Sequence, residues 1–326
     1  MTERMIQIFA TGGTIAGVAG SAIRRDYRPG QIGIDQFLGD IAKLDLPARL
    51  TGRQFANIGS EDMTPAIWAA LHRAAMEAMA DDSCQGIIVT HGTDTAEETA
   101  FLLDQTLPTH KPVVVVGAMR AADAVGSDGL RNFANGVRVA SDPEAAGRGT
   151  VLVMSDEIHA ARDARKARTE GVQAFRGYPR GAIGHVTPGS LEWFGPAWRL
   201  GEEARLAFHE SMPEVAILHA FAGMGRDTVA RALSGGAQGL VLAGFGQGNA
   251  PGIIREEMAE AAARGVLVVR SSRVDEGLVD REPEDARHGF IAARALGPAK
   301  ARILLQLLLA NDVRDLGEVQ AAFDRR

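Results

Sequence analysis

The stretch MIQIFATGGTIAG, residues 5–17, is an apolar run that leads directly into a turn rich in glycine and threonine. A second stretch, GIIVTHGTDT at residues 86–95, has the same organisation. Continuous apolar runs of this length are typical of strands that are buried on both faces of a parallel sheet. Because the loops at the carboxyl ends of such strands converge on one crevice, we expect the two turns to lie together and to form a ligand site.

Short apolar runs alternate with helical patterns along the first half of the chain. The runs predict strands at residues 5–10, 86–90, 112–117 and 150–155. A helix is predicted to begin at Pro65, since proline is favourable at the first helical position. Thr95 and Glu98 have the spacing of a capping box, in which the Glu98 side chain would bond to the N–H group of Thr95.

The same alternation resumes after a polar stretch that is interrupted by proline and glycine. Strands are predicted at residues 215–220, 239–244 and 266–271, and helices at 228–233, 253–264 and 298–309. We therefore predict an α/β fold of two doubly wound domains, with a larger, mainly parallel N-terminal sheet and a smaller C-terminal domain. The predicted limits are residues 1–194 for the first domain, 195–213 for a linker and 214–326 for the second domain.

The composition restricts the class of protein. The net charge is −6 and the 35 Lys and Arg residues are scattered, which argues against a nucleic-acid partner. No apolar run approaches the roughly 18 residues of a membrane-spanning helix, so no membrane partner is expected. Cys84 is the single cysteine, so no disulfide can form within the chain. Because only four residues precede the first strand, we expect a cytoplasmic enzyme or binding protein for a small molecule.

The glycine-rich turn at residues 11–17 is open to more than one interpretation. A phosphate-binding loop is excluded, because neither glycine-rich phosphate motif is present and no lysine follows. A tight turn with a purely structural role remains an alternative. As a nucleophile, Thr14 would need a nearby base, because a threonine hydroxyl reacts poorly by itself.

Two residues are candidates for that activation. Tyr27 lies in a polar loop, where a tyrosine can equally be a packing residue. Lys166 lies among arginines, where it can equally be a solvated surface residue; a lysine buried beside a hydroxyl can instead serve as a base. His91 fits a structural hydrogen-bonding role at the end of its strand. No cluster of His, Cys and Asp has the spacing of metal ligands, so neither a metal nor a cofactor is expected.

Taken together, these segments resemble the bacterial-type L-asparaginases. Both signature turns of that family, TGGTIAG and HGTDT, occur here in the family's order. The resemblance continues along nearly the whole chain. Residues 57–63 resemble the family's substrate-carboxylate loop, and residues 153–166 resemble its lysine segment. Residues 244–249 and 271–274 resemble two segments of the family's second domain.

The resemblance implies an amidohydrolase that converts L-asparagine to L-aspartate and ammonia through a threonine acyl-enzyme. Thr14 would attack the amide carbon, and Tyr27 would close over it on a flexible loop. Thr93, Asp94 and Lys166 would form a hydroxyl–carboxylate–amine array that transfers protons. Which of the two threonines reacts first is left open by the sequence.

The same resemblance implies the residues that bind the substrate. Ser60 would bind the α-carboxylate, while Asp94 and Glu61 would hold the α-ammonium. The remaining predicted contacts are Gly59, Thr93, Asn249 and Glu282. Asn249 and Glu282 would come from a neighbouring subunit of a homotetramer, built as a dimer of intimate dimers. Glu284 is an alternative to Glu282, because the segment around them is charged and irregular.

Glu61 affects the expected specificity. Family members carry Gln or Glu at this position, and a second carboxylate beside Asp94 changes how an α-ammonium is held. One methylene group contributes only ~1–3 kcal/mol to discrimination, so selectivity between asparagine and glutamine is not encoded in a motif. We expect an asparaginase with minor to moderate glutaminase activity.

Two other functions are compatible with the same crevice. An amidotransferase subunit would release ammonia for a tRNA-linked reaction, but such subunits carry additional sequence for their partner. A non-catalytic amino-acid sensor would need Ser60, Glu61 and Asp94. It would not need Thr14, Tyr27 and Lys166. Because residue types suited to both binding and catalysis are present, hydrolysis is the favoured function.

Overall fold

A computed structural model gives the fold. It describes residues 5–19, 27–44, 46–187, 189–197 and 205–325, and only the backbone of Tyr27. The chain divides into two compact units, Met1–Glu202 and Glu203–Arg326. The first unit contains the two threonine-bearing turns.

The first unit is built from α-helices and mostly parallel strands. Its strands are β1 (Met5–Gly12), β2 (Val18–Ala19), β3 (Tyr27–Arg28), β4 (Arg49–Ile58), β5 (Cys84–Thr90), β6 (Val113–Val116), β7 (Thr150–Met154), β8 (Glu157–Ala160), β9 (Ala164–Lys166), β10 (Phe175–Gly177), β11 (Gly184–Val186) and β12 (Leu191–Trp193). Its α-helices are α1 (Ile34–Ile41), α2 (Pro65–Ala80), α3 (Ala96–Thr106) and α4 (Gly129–Ser141).

The main sheet of this unit determines where a ligand can bind. Eight described strands follow the order β12-β11-β8-β7-β6-β5-β1-β4. The strands from β4 to β7 are parallel, and the pairs from β7 to β12 are antiparallel. The chain passes from β1 to β4 on one side and returns to β5 on the other, so the strand order reverses at β1. Ligands of open α/β sheets bind at such a reversal, outside the carboxyl ends of the strands.

Burial on both faces of the sheet explains the continuous apolar runs. On one face, Ile8 and Ile88 pack with Phe133 of α4. On the opposite face, Phe9 and Val89 belong to a second buried cluster that includes residues of α2 and α3. Neighbouring residues of a strand point to opposite faces, so consecutive positions in the middle of these strands are apolar.

The second unit is a smaller α/β structure. Its strands are β13 (Val215–His219), β14 (Gly239–Gly244), β15 (Leu267–Ser272) and β16 (Phe290–Ala292), and its helices are α5 (Asp227–Ser234), α6 (Gly252–Ala263), α7 (Pro283–His288), α8 (Pro298–Ala310) and α9 (Leu316–Asp324). The four strands form a parallel sheet in chain order. Apolar residues of α5 and α6 cover one face. Leu305 of α8 contacts Gly239 on the other face, where an added methyl group would lie 2.7 Å away.

The predicted α/β architecture is confirmed, with the larger parallel-rich sheet in the first unit. The predicted strands and helices occur within a few residues of their expected limits. β4 was not predicted, because it is an edge strand with exposed polar positions such as Arg53 and Asn57. The predicted linker includes residues 198–204, which lie outside the described residues, and the domain limits 1–194 and 214–326 remain predictions.

The described residues offer neither a membrane-spanning helix nor a cluster of metal ligands. Among the helices of those residues, none is both long and apolar enough to cross a membrane. Within the same residues, no group of three or more His, Cys, Asp and Glu side chains is arranged to hold a metal ion.

Candidate active site

Three turns meet at the carboxyl ends of β1, β4 and β5. The N–H group of Gly13 donates to the Ile58 carbonyl at 2.8 Å, which joins the first turn to the end of β4. The Thr11 hydroxyl donates to the Thr90 carbonyl at 2.9 Å, which joins it to the end of β5. These bonds hold the first turn between its two neighbouring strands, at the reversal of strand order.

The glycines of these turns allow their backbones to touch. A methyl group on Gly13 would lie 2.4 Å from the backbone nitrogen of Gly92, and Gly13 has a φ of 76°. A methyl group on Gly92 would lie 2.8 Å from the Ser60 Oγ atom. Glycine is therefore required for both steric and conformational reasons at position 13. The contacts bring Thr14, the residue after Gly13, into the same small volume as the second turn.

Thr14 begins a single turn of 3₁₀ helix, Thr14–Ala16. Its side chain is buried, with 5% of the residue exposed. The buried position limits the access of bulk water to the predicted nucleophile.

Ser60 connects the third turn to the second. Its Oγ atom accepts from the N–H groups of Asp94 at 3.1 Å and Thr95 at 3.3 Å. The Thr95 hydroxyl donates to the Ser60 carbonyl at 2.7 Å. The capping box predicted for Thr95 and Glu98 is therefore wrong: helix α3 has Thr95 at its N-cap, and the described contacts of Thr95 include no side-chain cap. The partner of the Thr95 hydroxyl is Ser60, 35 residues earlier in the chain, instead of a residue in the first turn of α3.

Lys166 completes a compact array with the second turn. Its Nζ atom donates to Thr93 Oγ1 at 2.8 Å and forms an ion pair with Asp94 Oδ1. The Lys166 side chain is 18% exposed, whereas that of Asp94 is 62% exposed. The array therefore has a buried end at Thr93 and a solvent-exposed end at Asp94.

Glu97 holds the strand that carries Lys166, and sequence reasoning did not identify it. The backbone N–H group of Lys166 donates to Glu97 Oε2 at 2.9 Å, across 69 residues of chain. Glu97 lies in the first turn of α3, directly after the second threonine turn. Helix α3 therefore fixes the distance between the lysine strand and Thr93.

His91 is the centre of a buried hydrogen-bond chain. Its Nδ1 atom lies 2.8 Å from the Gly92 carbonyl, which can only accept, so Nδ1 carries the hydrogen. Nε2 then accepts from the Thr99 hydroxyl at 2.8 Å, and Thr99 Oγ1 accepts from Trp68 Nε1 at 2.9 Å. Burial lowers the pKa of His91 to about 4, opposed by the bond to Gly92. His91 is therefore neutral at pH 7 and orders the turn.

Acid is expected to weaken the fold through His91. Its pKa is 6.5 unfolded and about 4 folded, so between these values the unfolded state binds more protons. The stabilisation is complete above pH 6.5 and is lost as the pH falls to about 4, roughly 3 kcal/mol in total. Urea unfolding of the wild type and of His91→Gln, which cannot titrate, should give a stability difference that shrinks by about this amount between pH 7 and pH 4.

The difference between the two proteins isolates His91. Burial also lowers the pKa of His72, but His72 is present in both proteins and cancels in the comparison. A stability difference that stays constant between the two pH values would contradict the assignment.

The other predicted site residues are divided between the two units. Glu61 is exposed and its carboxylate folds over Gly59, where an added methyl group would lie 2.4 Å from Oε1. Tyr27 pairs through its backbone with Ala19 in the β2–β3 hairpin, and its side chain lies outside the described residues. Asn249 and Glu282 lie in the second unit.

Asn249 closes a tight turn, and Glu282 begins a short helix. Asn249 and Phe245 exchange two backbone hydrogen bonds, each of 2.8 Å, across a tight turn. Glu282 is the N-cap of α7 and forms a capping box with Asp285. Asn249 is exposed and the Glu282 side chain is 40% exposed, so both can contact another molecule.

The fold and the array of hydroxyl, amine and carboxylate groups define an α/β amidohydrolase. Family models match both units: "Asparaginase, N-terminal" over residues 5–199 and "Glutaminase/Asparaginase C-terminal domain" over residues 214–323. The chain belongs to the asparaginase/glutaminase family.

Individual relatives are similar over nearly their full length. The chain is 38% identical to a probable periplasmic L-asparaginase of Haemophilus influenzae, covering 98% of this chain and 92% of the relative. It is 35% identical to a glutaminase-asparaginase of Pseudomonas fluorescens, covering 98% and 89%. The crystal structure of a probable cytoplasmic L-asparaginase from Campylobacter jejuni superposes with a TM-score of 0.94 at 34% identity, covering 99% of this chain and 100% of that chain.

Proposed function

We propose that this protein hydrolyses the side-chain amide of L-asparagine to give L-aspartate and ammonia, with L-glutamine as a weaker substrate. The observation that carries the proposal is the contact of Lys166 with both Thr93 and Asp94, beside the turn that contains Thr14. The names of the relatives, L-asparaginase and glutaminase-asparaginase, support the same substrates.

In the proposed reaction Thr14 is the nucleophile. Its hydroxyl oxygen bonds to the amide carbon and its proton passes to a basic group of the site, while the carbonyl electrons form an oxyanion. Backbone N–H groups of the glycine-rich turns stabilise that oxyanion. Collapse breaks the carbon–nitrogen bond, and the nitrogen leaves as ammonia after taking up a proton. Water then attacks the ester, which releases aspartate and restores the Thr14 hydroxyl.

The Lys166 array is assigned to the proton transfers. Lys166 Nζ is within hydrogen-bond distance of Thr93 Oγ1, a distance at which a proton can pass between the nitrogen and the hydroxyl. Asp94 holds the amine from the open side. The array is rigid because the backbone of Lys166 is itself bound by Glu97.

The substrate's α-carboxylate is assigned to Ser60. The Ser60 Oγ atom accepts two N–H groups, which leaves its own hydrogen to donate to a carboxylate. This oxygen is next to the N-terminus of α3, where the helix dipole favours negative charge. The exposed carboxylates of Asp94 and Glu61 are the proposed partners of the α-ammonium.

Asn249 and Glu282 are proposed to complete the site of a neighbouring subunit in a homotetramer. Glu284 forms an ion pair with Arg255 of α6, whereas Glu282 forms one at 3.8 Å with Arg270. Glu282 is favoured over Glu284, because Arg270 also contacts the turn leading to Asn249. A cytoplasmic location is also proposed; the similarity to a probable cytoplasmic enzyme supports it, although another relative is named periplasmic.

Ammonia release by the wild-type enzyme tests the proposal. With L-asparagine and L-glutamine assayed side by side, kcat/KM is expected to be larger for asparagine. Equal values for the two amides would remove asparagine as the specific substrate. No release from either amide, with asparagine bound intact, would favour a sensor, and release only with a tRNA-linked acceptor would favour an amidotransferase subunit.

A further inference from the structure

A single buried arginine organises one end of the second unit. Arg270 lies on β15 and is 5% exposed. Its guanidinium forms a bidentate ion pair with Asp285, from Nε to Oδ1 at 2.6 Å and from Nη2 to Oδ2 at 2.7 Å. Asp285 is also buried, at 6% exposed, so the two charges neutralise each other away from water.

The rest of the guanidinium reaches two other segments. Nη1 donates to the Gln247 carbonyl at 2.7 Å, and Nη2 donates to the Asp280 carbonyl at 3.0 Å. A second link joins the same segments, because the N–H group of Asp280 donates to Gln247 Oε1 at 2.9 Å. Arg270 therefore ties the 244–249 turn and the segment before α7 to one rigid strand.

Asn249 and Glu282 are attached to these two segments. Gly248 precedes Asn249 with a φ of 81°, and a methyl group on Gly248 would lie 3.1 Å from the Arg270 Cβ atom. The Glu282 N–H group donates to Asp285 Oδ2 at 2.9 Å, so the carboxylate that binds Arg270 also fixes Glu282. Either side chain would shift if the guanidinium were lost.

We infer that Arg270 is a positioning residue for catalysis: paired with Asp285, it sets the separation of Asn249 and Glu282 for the neighbouring subunit's site. The inference rests on the proposed function, in which those two residues reach that site. Lysine cannot replace arginine in this role, because an ammonium lacks the planar fork that binds a carboxylate and two carbonyls together.

The test compares Arg270→Lys with a matched variant, Arg255→Lys, whose carboxylate partner Glu284 lies on the same helix α7 as Asp285. Arg255→Lys alters the more exposed ion pair with Glu284 and leaves the contacts of Gln247 and Asp280 intact. Arg270→Lys is expected to lower kcat/KM for asparagine by about 10- to 100-fold, since misplacement by about 1 Å has effects of this size. Arg255→Lys should remain within about twofold, because exposed ion pairs contribute little.

Both variants are assayed well below their unfolding temperatures, with circular dichroism as the check of folding. A purely structural role would lower the unfolding temperature of Arg270→Lys and leave kcat and KM of the folded enzyme unchanged. That result would overturn the inference.

Mixed oligomers test whether Arg270 acts on a neighbouring subunit. Arg270→Lys and Thr14→Ala chains are co-expressed in equal amounts. In a mixed pair, one site would combine Thr14 of the Arg270→Lys chain with Asn249 and Glu282 of the Thr14→Ala chain, which retains Arg270. Random pairing through an isologous interface then predicts recovery to about a quarter of wild-type activity, above either variant alone.

The controls separate this inference from the proposed function. No recovery in the mixture would mean that Arg270 serves its own chain, which overturns the inference while leaving asparagine hydrolysis by the wild type intact. A fully active Thr14→Ala enzyme would overturn the proposed nucleophile instead, and the comparison of Arg270→Lys with Arg255→Lys would still decide the role of Arg270.

Discussion

Replacement of Thr14 by alanine is expected to lower kcat for asparagine by roughly 10⁴-fold or more, the scale seen when a nucleophile is removed. The change removes the hydroxyl that would form the acyl-enzyme. Because alanine is smaller than threonine, the 3₁₀ turn Thr14–Ala16 should accept it without a steric clash. The measurement is ammonia release at saturating asparagine. Thr14→Ser, which keeps a hydroxyl, should retain part of the activity.

Thr11 provides the matched control in the same turn. Its hydroxyl donates to the Thr90 carbonyl and so has a structural partner. Thr11→Val should lower the free energy of unfolding by about 1 kcal/mol and retain most of kcat. Thr14→Ala with near-wild-type kcat, or equal losses in the two variants, would contradict the assignment of Thr14 as the nucleophile.

Replacement of Lys166 by methionine is expected to lower kcat by roughly 10³-fold, within the range for a proton-transferring group. Methionine is similar in length but has no amine, so Thr93 and Asp94 both lose their contact. The backbone bond from residue 166 to Glu97 does not involve the side chain and should persist. Single-turnover and steady-state rates of ammonia release measure the effect.

Lys111 is the control lysine in the same unit. Its ammonium donates to backbone carbonyls at the end of α2, at 3.0 Å to Ala78 and 2.5 Å to Asp81. Lys111→Met should reduce stability by about 1–2 kcal/mol and leave kcat nearly unchanged. If Lys166→Met kept kcat within tenfold of the wild type, the array would have a binding role and not a proton-transfer role.

The parts of the fold that the sequence predicts are those in which local pattern and burial agree. β1 and β5 are apolar at successive positions because helices cover both faces of the sheet. The turns after them were predicted to meet, and the 2.4 Å approach of a methyl group on Gly13 to Gly92 shows that they do. Here the rules for parallel sheets were sufficient.

The errors occur where a distant partner replaces a local one. Thr95 has the sequence of a capping box, yet its hydroxyl bonds to Ser60, 35 residues away. Glu97 resembles any acidic residue in a first helical turn, and its partner Lys166 is 69 residues further along the chain. Trp68 lies on α2 and Thr99 on α3, and the hydrogen bonds between them and His91 join parts of the chain that no local pattern connects. Such pairs depend on packing geometry, which spacing along the chain does not encode.

The reversal of strand order at β1 also has a consequence for folding kinetics. β1 precedes β4 and β5 in the chain, so it can pair with them only after both have been synthesised. The partner of the Thr93 hydroxyl, Lys166, lies 73 residues further along the chain. Non-local pairings of this kind form slowly, because loop closure precedes the contacts that compensate for it. A nascent chain that ends before β9 lacks Lys166 altogether. The amine therefore joins the hydroxyls among the last events in the maturation of the first unit, and a shorter nascent chain cannot assemble the array.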